Sequence, residues 1–116
     1  MESKLKQVIM HNDINEIGEG AFQNTSIKHV IIPPQVKDIK AYTFVECKDL
    51  KQVTFEGDLV EEVGEYAFKE SGITKIDIPS RVKVIKARTF AECKDLTQVT
   101  FDEDSVADIG ESAFRN

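Results

Sequence analysis

The chain has 116 residues, 41% of them hydrophobic and 31% charged, with a net charge of -6. That size suits one domain with a core and excludes wholesale disorder, and no apolar run is long enough for a membrane-spanning helix. The acidic balance argues against nucleic-acid binding, which needs a surplus of Lys and Arg facing phosphate. Among the aliphatic residues, 12 Ile and 11 Val stand against 4 Leu, a β-branched bias that suits pleated strands and disfavours a helix bundle.

In chain order, Met1 to Gln7 leads into no apolar h-region, so no signal peptide is read there. The first strand signal is Leu5, Val8 and Met10, whose last two members alternate with polar residues as a half-buried strand requires. An aliphatic pair three apart, Ile14 and Ile17, comes next. It runs into Ile17-Gly-Glu-Gly-Ala-Phe22 and the polar turn Gln23-Asn24-Thr25. The same order then recurs. Ile27/Val30/Ile32 precedes Val36/Ile39 and Phe44; Leu50/Val53/Phe55 precedes Val60/Val63 and Phe68. Ile73/Ile76/Ile78 precedes Val82/Ile85 and Phe90; Leu96/Val99/Phe101 precedes Val106/Ile109 and Phe114. Pro33, Pro34 and Pro79 fall just after a strand, where a missing N–H is expected to do least harm. Polar turns at Lys69 to Gly72 and the two Glu-Cys-Lys-Asp stretches close the coils.

The five phenylalanines are 22, 24, 22 and 24 residues apart, so the larger unit is 46 residues. Residues 27–68 align with 73–114 without gaps at 25 identities in 42 positions. A unit of this size cannot bury its own apolar face, but stacked on copies of itself it builds a continuous core. The expected fold is a repeat solenoid: a β-rich right-handed coil with one short strand per repeat and irregular or short helical turns on the convex side. One domain spans residues 1–116 in about five coils, at 1–24, 25–46, 47–70, 71–92 and 93–116. Strands stacked at ~4.8 Å give the array a length of roughly 24 Å.

The pattern L-x-x-I-x-I-P-x-x-V-x-x-I-x-x-x-A/T-F-x-x-C-x-x-L resembles the BspA-like leucine-rich repeat of bacterial and protist surface proteins. Residues 73–96 match it at nearly every consensus position, and the resemblance runs through essentially the whole chain. It implies a leucine-rich-repeat coil and a non-catalytic protein-binding module serving adhesion or recognition of host or matrix proteins. The chain opens on a strand and stops two residues after a Phe, with no polar cap, whereas repeat arrays need capped ends. A fragment of a longer array, or a trimmed or engineered stretch of repeats, is the expectation. A fragment implies a cell-surface or secreted protein; a whole chain without a signal peptide implies a cytoplasmic one.

The residues that could carry chemistry read as structural. Cys47 and Cys93 share one repeat position two coils apart, roughly 9.6 Å, beyond the ~7 Å that a disulfide spans between Cα atoms; a buried ladder of small side chains is expected. His11 and His29 lack a second ligand at a metal-motif spacing. Glu56-Gly57-Asp58 and Asp102-Glu103-Asp104 lack the alternating ligands of a calcium loop and read as solvated turns. No nucleophile elbow, P-loop or dinucleotide fingerprint is present, so neither an enzyme nor a cofactor is expected.

The strand face is the candidate surface. Its outward files read Lys6, Lys28, Lys51, Thr74, Thr97; then Gln7, His29, Gln52, Lys75, Gln98; then Ile9, Ile31, Thr54, Asp77, Thr100. These fifteen positions hold four of the 15 cationic residues and one of the 21 acids, a mildly basic face suited to a protein partner with an acidic or mixed surface. The candidate protein-binding residues are Lys6, Lys28, His29, Ile31, Lys51, Gln52, Lys75, Asp77 and Gln98. A structural role is the alternative: a spacer, or a segment that self-associates through open strand edges at uncapped ends.

Overall fold

The computed structural model describes residues 7–8, 10–101 and 106–114. It is a β-solenoid of parallel strands, with no helix among the described residues. The strands are β1 (Gln7–Val8), β2 (His29–Ile32), β3 (Asp38–Ile39), β4 (Gln52–Phe55), β5 (Glu62–Val63), β6 (Lys75–Asp77), β7 (Val84–Ile85), β8 (Gln98–Thr100) and β9 (Asp108–Ile109). The expected strand segments form the sheets β1-β2-β4 and β6-β8. Register follows the repeat, with Val30 beside Val53, Ile32 beside Phe55 and Ile76 beside Val99.

A second parallel sheet, β3-β5-β7-β9, adds a short strand to each of these coils after the first. It is made by the aliphatic pairs three residues apart: Ile39 lies beside Val63, Val63 beside Ile85 and Ile85 beside Ile109. The spacing of these pairs carried no alternation to mark a strand. The chain is extended there for only two residues before it turns.

The third side of each coil is a run of turns in place of a helix. Alternate N–H groups bond within the coil, as Val45 to the carbonyl of Tyr42 at 3.3 Å and Cys47 to that of Phe44 at 3.2 Å. The others bond to the next coil: Tyr42 to Glu65 at 3.1 Å, Phe44 to Ala67 at 2.8 Å and Glu46 to Lys69 at 2.8 Å. Left-handed residues two before and two after each core Phe make this division possible. Tyr42, Glu46, Tyr66, Glu70, Arg88 and Glu92 all have φ between 55° and 63°. A left-handed residue with a side chain costs roughly 1–2 kcal/mol, offset here because the inter-coil N–H groups find carbonyls.

Inside the three walls, like residues lie on like. Phe22, Phe44, Phe68, Phe90 and Phe114 form one stack, with centroids 5.2–5.5 Å apart and rings within 10° of parallel. Around it pack Ile27, Val30, Ile32, Val36, Ile39, Leu50, Val60, Val63, Ile73, Ile76, Val82 and Ile85, all nearly or wholly excluded from solvent. The expected cysteine ladder is present, and both thiols are free and buried. Cys47 donates its S–H to the carbonyl of Phe22 and Cys93 to that of Phe68, each at 3.0 Å. Thr25 and Ser71 take the same place in the alternate coils, each with its hydroxyl 3.6 Å from the neighbouring thiol. Burial pushes both thiols above their ordinary value of 9.0, only partly opposed by hydrogen bonds from Thr25 and Ser71.

Three outcomes follow from this packing. Phe68 is fully buried between two rings, whereas Phe114 is 40% exposed. In urea unfolding, Phe68→Ala should cost about 3–5 kcal/mol and Phe114→Ala less than about half of that; equal losses would contradict coil-on-coil stacking. The thiols should resist a thiol reagent in the native protein and titrate as two on unfolding. Because folding raises their pKa, the unfolded chain loses these protons first as pH climbs past 9.0. Their contribution is therefore intact below that pH and is lost above it. The alkaline fall in stability should flatten in the double variant Cys47→Ala/Cys93→Ala when unfolding is followed from pH 8 to pH 10.

Candidate functional site

Strand pleating sets the surface. Val30, Ile32, Val53 and Ile76 point into the core, and the residues between them face out. The outward files form as expected where the ladder exists: His29 lies beside Gln52, Ile31 beside Thr54, Lys75 beside Gln98 and Asp77 beside Thr100. Side chains tie neighbours together along these files. His29 Nε2 is 3.3 Å from Thr54 Oγ1, and the Thr100 hydroxyl donates to the Asp77 carboxylate.

The candidate residues fall into three groups. Lys28, Gln52, Lys75, Asp77 and Gln98 are exposed. His29 and Ile31 are half-buried between neighbouring outward side chains. Lys51 is exposed but reaches over Gly72 to the turn side, where its Nζ is 3.6 Å from Asp95. An ion pair so open to water is worth little, yet it aims the amine away from the strand face. Lys6 and Ile9 lie outside the described residues, as does the Asp102-Glu103-Asp104 turn. His11 is exposed, and no three His, Cys, Asp or Glu residues are gathered for a metal among the described residues.

The strand face is split. At the β2–β4 junction the rungs run without interruption: Lys51 N–H bonds to Lys28 at 2.9 Å, the β2–β4 ladder follows, and Glu56 N–H bonds to Ile32 at 3.1 Å. Between β4 and β6 there is no ladder. The two coils are joined only at the ends of this stretch, by Gly72 N–H to Cys47 at 3.2 Å and Lys83 N–H to Glu61 at 2.9 Å. A cleft of 390 Å³ lies along the split, lined by residues 52–55 and 75–79 together with Gly57. Val53, Ile76 and Ile78 are buried at its floor; Gln52, Lys75 and Asp77 stand exposed at its lips.

The outward residues at these lips were legible from strand alternation, but the cleft was not. Its one sequence signal is Pro79. Pro79 takes the repeat position of Glu56, whose N–H makes the closing rung of the preceding junction. A proline has no N–H to offer, so the rung to Phe55 cannot form. The proline after the strand is thus not neutral, as its position alone implied, because it removes the closing rung of this junction.

The turn side is more acidic and carries its own stack. Tyr42 and Tyr66 are parallel with centroids 5.2 Å apart. Lys69 Nζ and the Arg88 guanidinium lie over the Tyr66 ring at 5.5 and 5.9 Å. Arg88 also donates to the Tyr66 hydroxyl at 3.3 Å. These contacts satisfy one another and hold adjacent turns in register.

Comparison with known proteins agrees with this geometry. The family model described as "BspA type Leucine rich repeat region" matches residues 15–116 in six copies. Among solved structures, a leucine-rich repeat protein from Bacteroides ovatus ATCC 8483 is similar at 34% identity and a TM-score of 0.77, over 82% of this chain and 25% of that one. A leucine rich cell surface protein from Faecalibacterium prausnitzii A2-165 is similar at 33% identity and a TM-score of 0.69, over 74% of this chain and 23% of the other. The chain thus spans about a quarter of the length of these solved relatives. No curated protein matches it.

Proposed function

Because the chain belongs to the BspA-type leucine-rich repeat family, we propose that it is a non-catalytic recognition module that engages a partner protein through its strand face. The observation that carries this reading is the cleft between β4 and β6, which joins an apolar floor to a polar, mixed-charge rim. That is the anatomy of a protein-interface core, where an anchoring side chain is desolvated and flanking polar groups set orientation. The rest of the face offers exposed Lys28 and Gln98 and half-buried Ile31. Adhesion at a cell surface, to host or matrix proteins, is the setting that fits; the Faecalibacterium relative is called a cell surface protein. A partner with an acidic or mixed surface suits the exposed amines of Lys28 and Lys75.

Beads coated with the protein can be scored for adherence to epithelial monolayers and to immobilised extracellular-matrix proteins. Lys28→Glu/Lys75→Glu should lower adherence by about tenfold, two charge reversals each removing about 0.5–1 kcal/mol, with thermal unfolding unchanged. Adherence equal to that of the parent protein would count against the strand face.

A second reading is favoured by the last described coil, where Phe101, Ile109 and Phe114 are 36%, 46% and 40% exposed. Covered by another solenoid end, these side chains would make the segment a structural, self-associating piece. Sedimentation velocity over a hundredfold concentration range separates the two readings. A rising weight-average mass that Phe114→Glu abolishes would favour assembly; a constant monomer mass would eliminate it.

A further inference from the structure

We propose that the cleft between β4 and β6 takes an extended peptide segment of the partner by main-chain pairing, a reading that rests on the strand face being the recognition surface. The argument starts from which backbone groups face the cleft. In a parallel ladder, the N–H and C=O of one residue point to the same neighbour, and successive residues alternate between neighbours. Glu56 N–H bonds to Ile32, so Gln52 and Thr54 face β2, and Val53 and Phe55 face β6. Thr97 N–H bonds to Thr74 and Ile78 N–H to Thr100, so Thr74, Ile76 and Ile78 face β8. Lys75 and Asp77 therefore face β4. No ladder crosses the split, so four residues present backbone donors and acceptors to the cleft without a rung to receive them.

This set has a definite complement. N–H and C=O groups that recur every second residue along two lips match the main chain of an extended peptide, the pairing that adds a strand to an exposed sheet edge. The volume of 390 Å³ lies within the range of ligand-holding clefts. Its buried floor of Val53, Ile76 and Ile78 receives small apolar side chains from alternate positions of the guest, and Lys75 and Asp77 flank its polar ones. The lips can part without breaking the coil. The other two walls stay bonded across the same junction, through β5–β7 and through Tyr66 to Ala87, Phe68 to Thr89 and Glu70 to Ala91.

The test uses the full chain, amide hydrogen exchange read by NMR, and a synthetic peptide of the β8 sequence, Lys94 to Phe101, as the extended guest. In the free protein the amides of Val53, Phe55, Lys75 and Asp77 should exchange at least about tenfold faster than those of Thr54 and Ile76. The peptide should slow these four, and N-methylating the amides of its alternate residues should weaken binding by about tenfold for each hydrogen bond lost. Pro79→Glu restores the N–H that Glu56 has in the preceding coil. It should protect the four amides in the free protein and abolish peptide binding. Four amides already protected in the parent protein, or equal binding of the N-methylated peptide, would overturn the proposal. If Lys28→Glu/Lys75→Glu abolishes adherence while the four amides still exchange fast with the peptide bound, strand-face recognition stands and the main-chain mode falls. Peptide protection of the four amides with adherence untouched by that charge reversal would instead remove the strand face as the adhesive surface and keep the cleft as a peptide site.

Discussion

One phenylalanine ring lying flat against the next is the contact on which the molecule depends. A coil of 22 to 24 residues encloses too little volume to form a core, so each ring is shielded by the ring above and the ring below. The backbone walls serve the same geometry: strands on two sides and bonded turns on the third keep successive coils at one pitch. Because the same residue types recur at each level, packing solved once is solved at every junction. Stability is then close to a sum of nearest-neighbour terms, and the outermost described levels, where Phe101, Ile109 and Phe114 are partly exposed, are the least secured.

This arrangement also decides where specificity can reside. The core files and the bonded turns are committed to stacking, and the Tyr42–Tyr66 pair with Arg88 and Lys69 is spent on holding turns together. Outward strand positions carry no such duty. Ile31, Thr54 and Asp77 differ from coil to coil, although Val30, Val53 and Ile76 beside them barely change. A solenoid thus separates the residues that hold it up from those that can be varied for a partner, which is why a catalytic pocket is not needed to explain the surface.

Much of this was legible in the sequence. The 46-residue period, the inward Val and Ile positions, the phenylalanine register and the paired files His29/Gln52 and Lys75/Gln98 all follow from spacing and alternation. What was not legible is written in the backbone. The second sheet arises from two-residue extensions at pairs such as Val63 and Ile85, too short to show alternation. The left-handed conformation of Tyr42, Glu46 and Arg88 has no residue signature, because Tyr, Glu and Arg are not the residues that ordinarily adopt it. The cleft was hidden for a different reason. Pro79 was visible, but its effect depends on which carbonyl its missing N–H would have met, and only the stacked structure supplies that partner.

The glycines of the longer coils carry a last consequence. Gly64 lies directly on the backbone of the coil beneath, and a β-carbon there would stand 2.6 Å from the nitrogen of Ala41. Gly110 meets Lys86 and Ala87 in the same way. The shorter coils have Lys40 and Lys86 at this position and so could not take the place of the coil above them. A coil with lysine at this position therefore cannot seat on another of its kind, and the glycine of the longer coil is what lets the two alternate. An array built this way shortens safely by pairs: removing one longer coil sets short on short and forces two backbones apart, whereas removing 46 residues leaves every junction as it was. The heritable brick of this solenoid is the coil pair.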